Sequence, residues 1–433
     1  MAGVSAGLPA GVRLSDHISL GVIARAFPPD QVRRVLSETG RASERERDLP
    51  AQVMVYYAIA LALYMSSSTR EVLRCLLEGL RWLWGAGAVK VAGRSGISQV
   101  RTRLGEAPLH RLYEQGVRPI ATHATKGAWY RAWRLVSLDG SCLDVADTQD
   151  NRTSFGSPGA SRGESAFPQL RFVALVENGT HVLFGAQMGR YADGETTLAH
   201  DVLTALRPGM LCLADRQFFG YALWQAAAAT GADLLWRVKH NLRLPRATGL
   251  ADGSYLTTIY PSDKDRRHGA NGTQVRVVEY RLAGIAGVEP LYRLVTTILD
   301  PGQAPAAALA ALYHERWEIE GALDELKTHL RGGTGRAAQQ DPGVGAARVL
   351  GPAVGTLRRA RADARGGAAS RRGSGPAVVP ACRARGPAQG AAVRGPFPLG
   401  PGASCMRRCW TKFWRSACRA AGVGRCHAGS SAR

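Results

Sequence analysis

The sequence predicts an α/β domain with a β-rich insertion, preceded by an all-helical segment. Three observations carry that prediction. Apolar stripes of helical period run from Leu14 to Thr122. Asn178-Gly179 sits between two strand-like runs, a strong hairpin signal. Beyond it, short buried runs alternate with helical ones up to a long helix opening at Pro305.

A chain of 433 residues is long enough for two or three domains. Its 45% hydrophobic content is ordinary for a globular protein. The formal net charge of +22 is not ordinary. Such a field attracts polyanions, with nucleic acid the usual partner and a membrane surface the weaker alternative. The charge is uneven: residues 333–433 hold 18 Lys+Arg against only Asp341 and Asp363, and so carry +16 of the total. No cysteine spacing points to zinc or disulfides. The longest apolar run, Ala51 to Met65, has 15 residues, short of the ~20 that span a bilayer. It reads as a buried core helix. With no signal-peptide layout at the start, a cytoplasmic, nucleoid-associated protein is expected, with no membrane role.

In the helical segment, Pro28-Pro29-Asp30 opens a helix that Gly40 stops, and Pro50 opens the next. Ser68 and Glu71 form a capping-box pattern ahead of the stripe Val72 to Leu83. Short helices follow at Ile97–Leu104 and Leu109–Ile120. Arg101, Arg103, Arg111 and Arg118 are equally readable as phosphate contacts or as a solvated face. Strands are expected over Arg134–Leu138, ending at Asp139, then Leu170–Val176 and His181–Met188. A helix at Thr196–Leu206 precedes a buried strand at Met210–Ala214 that ends at Asp215. Tyr221–Thr230 reads as helix and Leu234–Val238 as strand. Three strands in hairpin order, then helix alternating with strand, is a ribonuclease-H-like layout. Tyr255–Ile259, Gln274–Tyr280 and Leu291–Ile298 read as a β-rich insertion, about 242–300. Pro305–Leu330 is one helix, stopped by Gly332-Gly333. The expected domains are 1–125 (all-α, binding DNA ends), 126–332 (catalytic) and 333–433 (a basic tail).

Three acids stand out. Asp139 and Asp215 lie where hydrophobic strands are expected to run out, and sites gather at strand ends. Either one alone could simply begin a turn. The long helix adds the third. At ~100° per residue, Tyr313, Arg316, Glu320 and Lys327 fall within a sector of roughly 60°. An i, i+4 ion pair on a solvated face would explain Arg316 with Glu320. It would leave Tyr313 and Lys327 as coincidence. Three carboxylates suit phosphodiester chemistry, because two divalent ions ~3.5–4 Å apart can activate a nucleophile and stabilise the leaving oxygen. Magnesium favours such oxygen ligands. Asp139 would bridge both ions, with Asp215 and Glu320 each holding one. Arg316 and Lys327 would grip the phosphate backbone. Gln217, Trp236, Arg237 and Lys239 are further candidates for touching DNA, although Trp236 reads equally well as core.

Tyr313-x2-Arg316-x3-Glu320-x6-Lys327 has the spacing of the Y-(2)-R-(3)-E-(6)-K signature of the insertion-sequence-four family of bacterial DDE transposases. Leu138-Asp139-Gly140-Ser141 resembles that family's first-Asp motif, and Ala214 to Phe219 its second. The resemblance covers about 14–332. It implies a ribonuclease-H-like catalytic domain, Mg²⁺ or Mn²⁺ in a pair held by Asp139, Asp215 and Glu320, and DNA contacts through Tyr313, Arg316 and Lys327. It also implies cut-and-paste movement of an element with terminal inverted repeats, and a homodimer pairing two DNA ends. The tail departs from the family. Codons permitted for Gly335 to Arg361 can be chosen so that, slid by one nucleotide, they read as an amphipathic continuation. The expectation is therefore a frameshift near residue 333, and a copy whose activity is impaired. Two other classes compete: a non-catalytic DNA-binding remnant or repressor of transposition, and another ribonuclease-H-fold nuclease. The repressor would be indifferent to loss of Asp139, and the other nuclease would lack the Tyr313–Lys327 signature.

Overall fold

The computed structural model describes residues 20–44, 49–63, 69–84, 94–160, 163–164, 167–282, 291–324 and 382–384. Between residues 20 and 116 every described element is a helix: Leu20–Ala26 (α1), Pro29–Glu38 (α2), Ala51–Leu63 (α3), Thr69–Trp84 (α4), Arg94–Leu104 (α5) and Ala107–Gly116 (α6). Local chemistry sets the α2 ends. Pro29 occupies the first turn with Asp30 beside it. Thr39 Oγ1 donates back to the Val35 carbonyl at 2.7 Å, and Gly40 takes the left-handed conformation at φ 64°. Ser68, the expected cap of α4, lies outside the described residues, as do Leu14 to His17. Arg111, one of the four arginines considered for phosphate, pairs instead with Glu38 and Glu114.

Apart from one two-stranded ribbon, the described strands form one mixed sheet. Trp129–Tyr130 (β1) folds back on Trp133–Asp144 (β2), and Gln169–Glu177 (β5) pairs antiparallel with both β2 and Val182–Arg190 (β6). The turn between β5 and β6 carries Gly179 at φ 76°, as Asn-Gly predicts. Gln149–Phe155 (α7) and the small ribbon Gly159–Ala160 (β3) with Gly163–Glu164 (β4) fill the β2–β5 connection. Glu195–Leu203 (α8) then leads to Met210–Ala214 (β7), parallel to β2. Tyr221–Ala228 (α9) leads to Asp233–Arg237 (β8), parallel to β7.

The β-rich insertion continues this sheet. Tyr292–Thr296 (β12) pairs with β8, Thr273–Leu282 (β11) with β12, Tyr255–Ile259 (β10) with β11, and Thr248–Gly249 (β9) with β10. A short helix, Asp263–His268 (α10), joins β10 to β11. Of the tail, Cys382–Ala384 (β13) is described, pairing with the far end of β11.

Side-chain alternation divides the sheet's two faces. Val136, Leu138, Cys212, Ala214, Leu234 and Trp236 face one core, shared with α8, α9 and the N-terminal helices. Leu135, Leu211, Leu213, Leu235 and Leu294 face another, covered by Ala306–His314 (α11).

Two expectations are corrected. β2 does not stop at Asp139 but runs on to Asp144, because its antiparallel partner β5 continues alongside. The helix expected over Pro305–Leu330 is two helices, α11 and Trp317–Asp324 (α12), separated by a turn at Glu315–Arg316. There, the Glu315 N–H donates to Leu312 O at 2.9 Å and the Arg316 N–H to Tyr313 O at 3.2 Å, three-residue bonds that tighten the chain. Lys327 and the Gly332-Gly333 stop lie outside the described residues. Among the described residues, no helix is long and apolar enough to cross a membrane.

Candidate active site

Strand register builds the first half of the site. β2 and β7 are parallel, with Leu138 opposite Ala214. The next residue of each strand is an acid, so Asp139 and Asp215 stand side by side on the face shared by Leu135, Leu211 and Leu213. β7 and β8 are also parallel, with Ala214 opposite Trp236, and Arg237 follows in the same row. Arg237 Nη1 lies 3.8 Å from Asp215 Oδ1, and its guanidinium stacks 4.6 Å from the Tyr292 ring centre. Asp139 Oδ1 accepts the Gly140 N–H at 2.8 Å, and Asp215 Oδ1 accepts the Arg216 N–H at 2.7 Å. These bonds fix both carboxylates close to their own backbone.

The two helices supply the other half. The turn at Glu315–Arg316 separates residues that a straight helix would align along one edge. Tyr313 enters the core beneath β7, where its hydroxyl donates to the Ala214 carbonyl at 3.3 Å, one residue before Asp215. Burial pushes its ionisation well above the usual tyrosine range. In this place Tyr313 braces the strand end instead of presenting a phenol to solvent. Arg316 is also buried. Its Nη1 lies 3.5 Å from Asp139 Oδ2 and its Nη2 lies 3.6 Å from Glu320 Oε1. Glu320 is half exposed, at 47% of its side chain. Gln217 and Lys239 are exposed and Trp236 is fully buried, which makes Trp236 core.

One neighbour was not legible as a site residue. Glu195, the first residue of α8, lies against Gly140, and a Cβ built on Gly140 would come within 2.8 Å of the Glu195 Cδ. The available signal was a glycine directly after the first acid and Gly194-Glu195 opening the helix after the hairpin.

The acids repel one another. Burial raises the Asp139 carboxyl above its ordinary range; the Gly140 N–H and Arg316 draw it down, and the charges of Glu195 and Asp215 raise it further. Burial likewise raises Glu320, with Arg316 lowering it and the charges of Asp139 and Asp215 adding to the rise. Such a site favours a bound cation. The donors are all carboxylate oxygens, the hard ligands that magnesium and manganese prefer. Among the described residues, no three His, Cys, Asp or Glu side chains converge closely enough to hold one ion as they stand. Between Asp139 and Glu320 the Arg316 guanidinium is the cation in place.

Comparison with known proteins gives the family. Residues 17–114 match the insertion element 4 transposase N-terminal family, and residues 133–341 match the transposase DDE domain family. The transposase InsG of insertion sequence element IS4 from Escherichia coli K12 is 24% identical over 309 residues, 70% of this chain and 67% of that one. The putative transposase InsZ of the same organism is 26% identical over 229 residues, 51% of this chain and 74% of that one. A piggyBac transposase synaptic complex with hairpin DNA aligns over 84% of this chain and 79% of that one, at 11% identity and a TM-score of 0.39. The domain matches define a DNA transposase of the DDE class. The chain belongs to the insertion-sequence-four family of these enzymes, which use divalent cations.

Proposed function

We propose that the chain cuts and rejoins DNA at the terminal inverted repeats of its own insertion sequence, with Asp139, Asp215 and Glu320 holding two Mg²⁺ or Mn²⁺ ions. One observation carries this reading: the Leu138–Ala214 register sets two acids abreast, and Arg316 links the first of them to Glu320. When bound, a pair of divalent cations supplies an activated water or 3′-hydroxyl and stabilises the leaving oxygen. The protein's own part is positional. The β2–β5 and β2–β7 ladders fix Asp139, Tyr313 braces Asp215 from behind, and α12 brings Glu320 to the mouth. Lys239 and Gln217, both exposed, meet the phosphate backbone of double-stranded DNA. Lys327, lying past α12, belongs to the same reading through its motif spacing. The enzyme works in the cytoplasm on the nucleoid, as a homodimer pairing two element ends.

The domain match stops at residue 341, close to where the composition changes. That supports the reading of a shifted frame from near residue 333, in a copy that keeps its acids but loses the family's elements C-terminal to the Glu320 helix. The test is purified protein with Mg²⁺ and a labelled element-end duplex. Wild type is expected to nick at the terminus and Glu320→Gln to fall by at least 100-fold, within the range seen when a stabilising group is removed from a reacting centre. Equal nicking by both would remove Glu320 from the site. No nicking by the native chain, with activity from a gene whose frame is restored, would identify the tail as the lesion.

A further inference from the structure

We propose that Arg316 couples metal binding to DNA binding: its guanidinium holds the acids in the metal-free protein and passes to a DNA phosphate when a divalent cation takes its place. The inference rests on the reading of Asp139 and Glu320 as metal ligands.

Arg316 reaches two acids from different elements, Asp139 on β2 at 3.5 Å and its own helical neighbour Glu320 at 3.6 Å. Both distances exceed the ~2.7–2.9 Å of a tight charged hydrogen bond. The pairing is therefore electrostatic and loose, unlike the Arg276–Asp252 ion pair at 2.5 Å elsewhere in the chain. Only 7% of the Arg316 side chain is exposed, yet its Glu320 partner opens to solvent. A guanidinium is a cation. A divalent ion bound to the same oxygens would face it at close range, so the two cations exclude each other. A guanidinium displaced from its carboxylates cannot remain buried without an anion. The Tyr313 ring, fixed by its bond to Ala214, lies 5.8 Å from the Arg316 Cζ. A phosphodiester matches its fork. Linkage then requires reciprocity: the cation strengthens DNA binding and DNA strengthens cation binding by the same factor.

The experiment titrates Mn²⁺ by electron paramagnetic resonance, with and without a short fluorescein-labelled duplex whose binding is read by anisotropy. Arg316→Gln removes the competing charge. It is expected to bind Mn²⁺ about ten-fold more tightly than wild type without DNA, and to gain less DNA affinity from Mn²⁺. Arg316→Lys keeps the charge and loses the fork. Its Mn²⁺ affinity without DNA should stay near wild type while its Mn²⁺-dependent gain in DNA affinity falls. An arginine that only meets DNA would leave the metal titration of Arg316→Gln unchanged, and one that only supports the fold would weaken it. Either result overturns the proposal. Identical Mn²⁺ titrations for wild type and Asp139→Asn would instead remove the metal reading, and this proposal with it.

Discussion

Asp139 and Glu320 sit where an ionised carboxylate is disfavoured, and this has a measurable sign. Their folded-state values lie above the unfolded ones, so the native chain keeps those protons longer. Stability is then lost as pH rises from the unfolded value of about 4 through the raised one. Asp139→Asn should therefore melt above wild type in chelator at about pH 7, with the gap closing near pH 3, where both side chains are neutral. A gap that persists unchanged in acid would assign the effect to something other than charge. Two glycines make a second pair of predictions. Ala at Gly140 meets only the flexible end of Glu195, which can swing aside, so it should cost less than the roughly 1–3 kcal/mol of forced overpacking. Ala at Gly179 meets the Lys126 carbonyl and the Ala128 N–H at φ 76°, and should cost at least that much. Urea denaturation of both variants checks the order.

Among the elements, α11 is anchored more firmly than its apolar composition suggests. Arg276 on β11 is fully buried; it pairs with Asp252 at 2.5 Å and donates to the Ala304 carbonyl at 2.7 Å. Asp252 in turn accepts the Ala306 N–H at the head of α11, at 2.7 Å. The insertion thus fastens the helix that leads to Glu320. Arg276→Met should destabilise the protein by about 3 kcal/mol, the low end for a broken buried pair because Asp252 keeps some contact with water. An effect below about 1 kcal/mol would show that the clamp contributes little. None of this clamp was legible in the sequence, since its partners lie 24 and more residues apart. What was legible was local. The strand-like runs of β5 and β6, the Asn-Gly turn and the buried run of β7 placed their elements to within two residues. Asp139 was misplaced at a strand end because Gly140-Ser141 resembles a turn, while the β5 ladder that carries β2 onward is non-local. The break at Glu315–Arg316 has no Gly or Pro to announce it. It accompanies a tertiary attachment, Arg316 to Asp139, which helical periodicity cannot contain. Helical spacing grouped Glu320 with Tyr313 and Arg316; it did not reveal that the last two are buried.

At the scale of the whole molecule, the N-terminal helices and one face of the sheet share a single apolar cluster. Polar bonds reinforce it. The Tyr113 hydroxyl on α6 accepts the Ala186 N–H at 2.9 Å on β6, and buried Glu177 binds Arg134 and the Ile120 and Ala121 N–H groups. The helices and sheet should therefore unfold together. Hydrogen exchange should show α2, α3 and α6 opening with the same free energy as β2 and β5. Earlier opening of the helices would make them a separate folding unit. The continuation of β2 past Asp139 carries a last consequence, for the order in which the enzyme comes into being. β5 and β6 are joined by a tight turn and β2 precedes them through the α7 connection, so their ladder can close as soon as Arg190 leaves the ribosome. The rungs from Asp139 to Asp144 pin the register against a one-residue slip that would throw the first acid to the wrong side. On the proposed reading of the site, the nascent chain thus holds the strand that carries Asp139 in register before translation has reached the codons of Asp215 and Glu320.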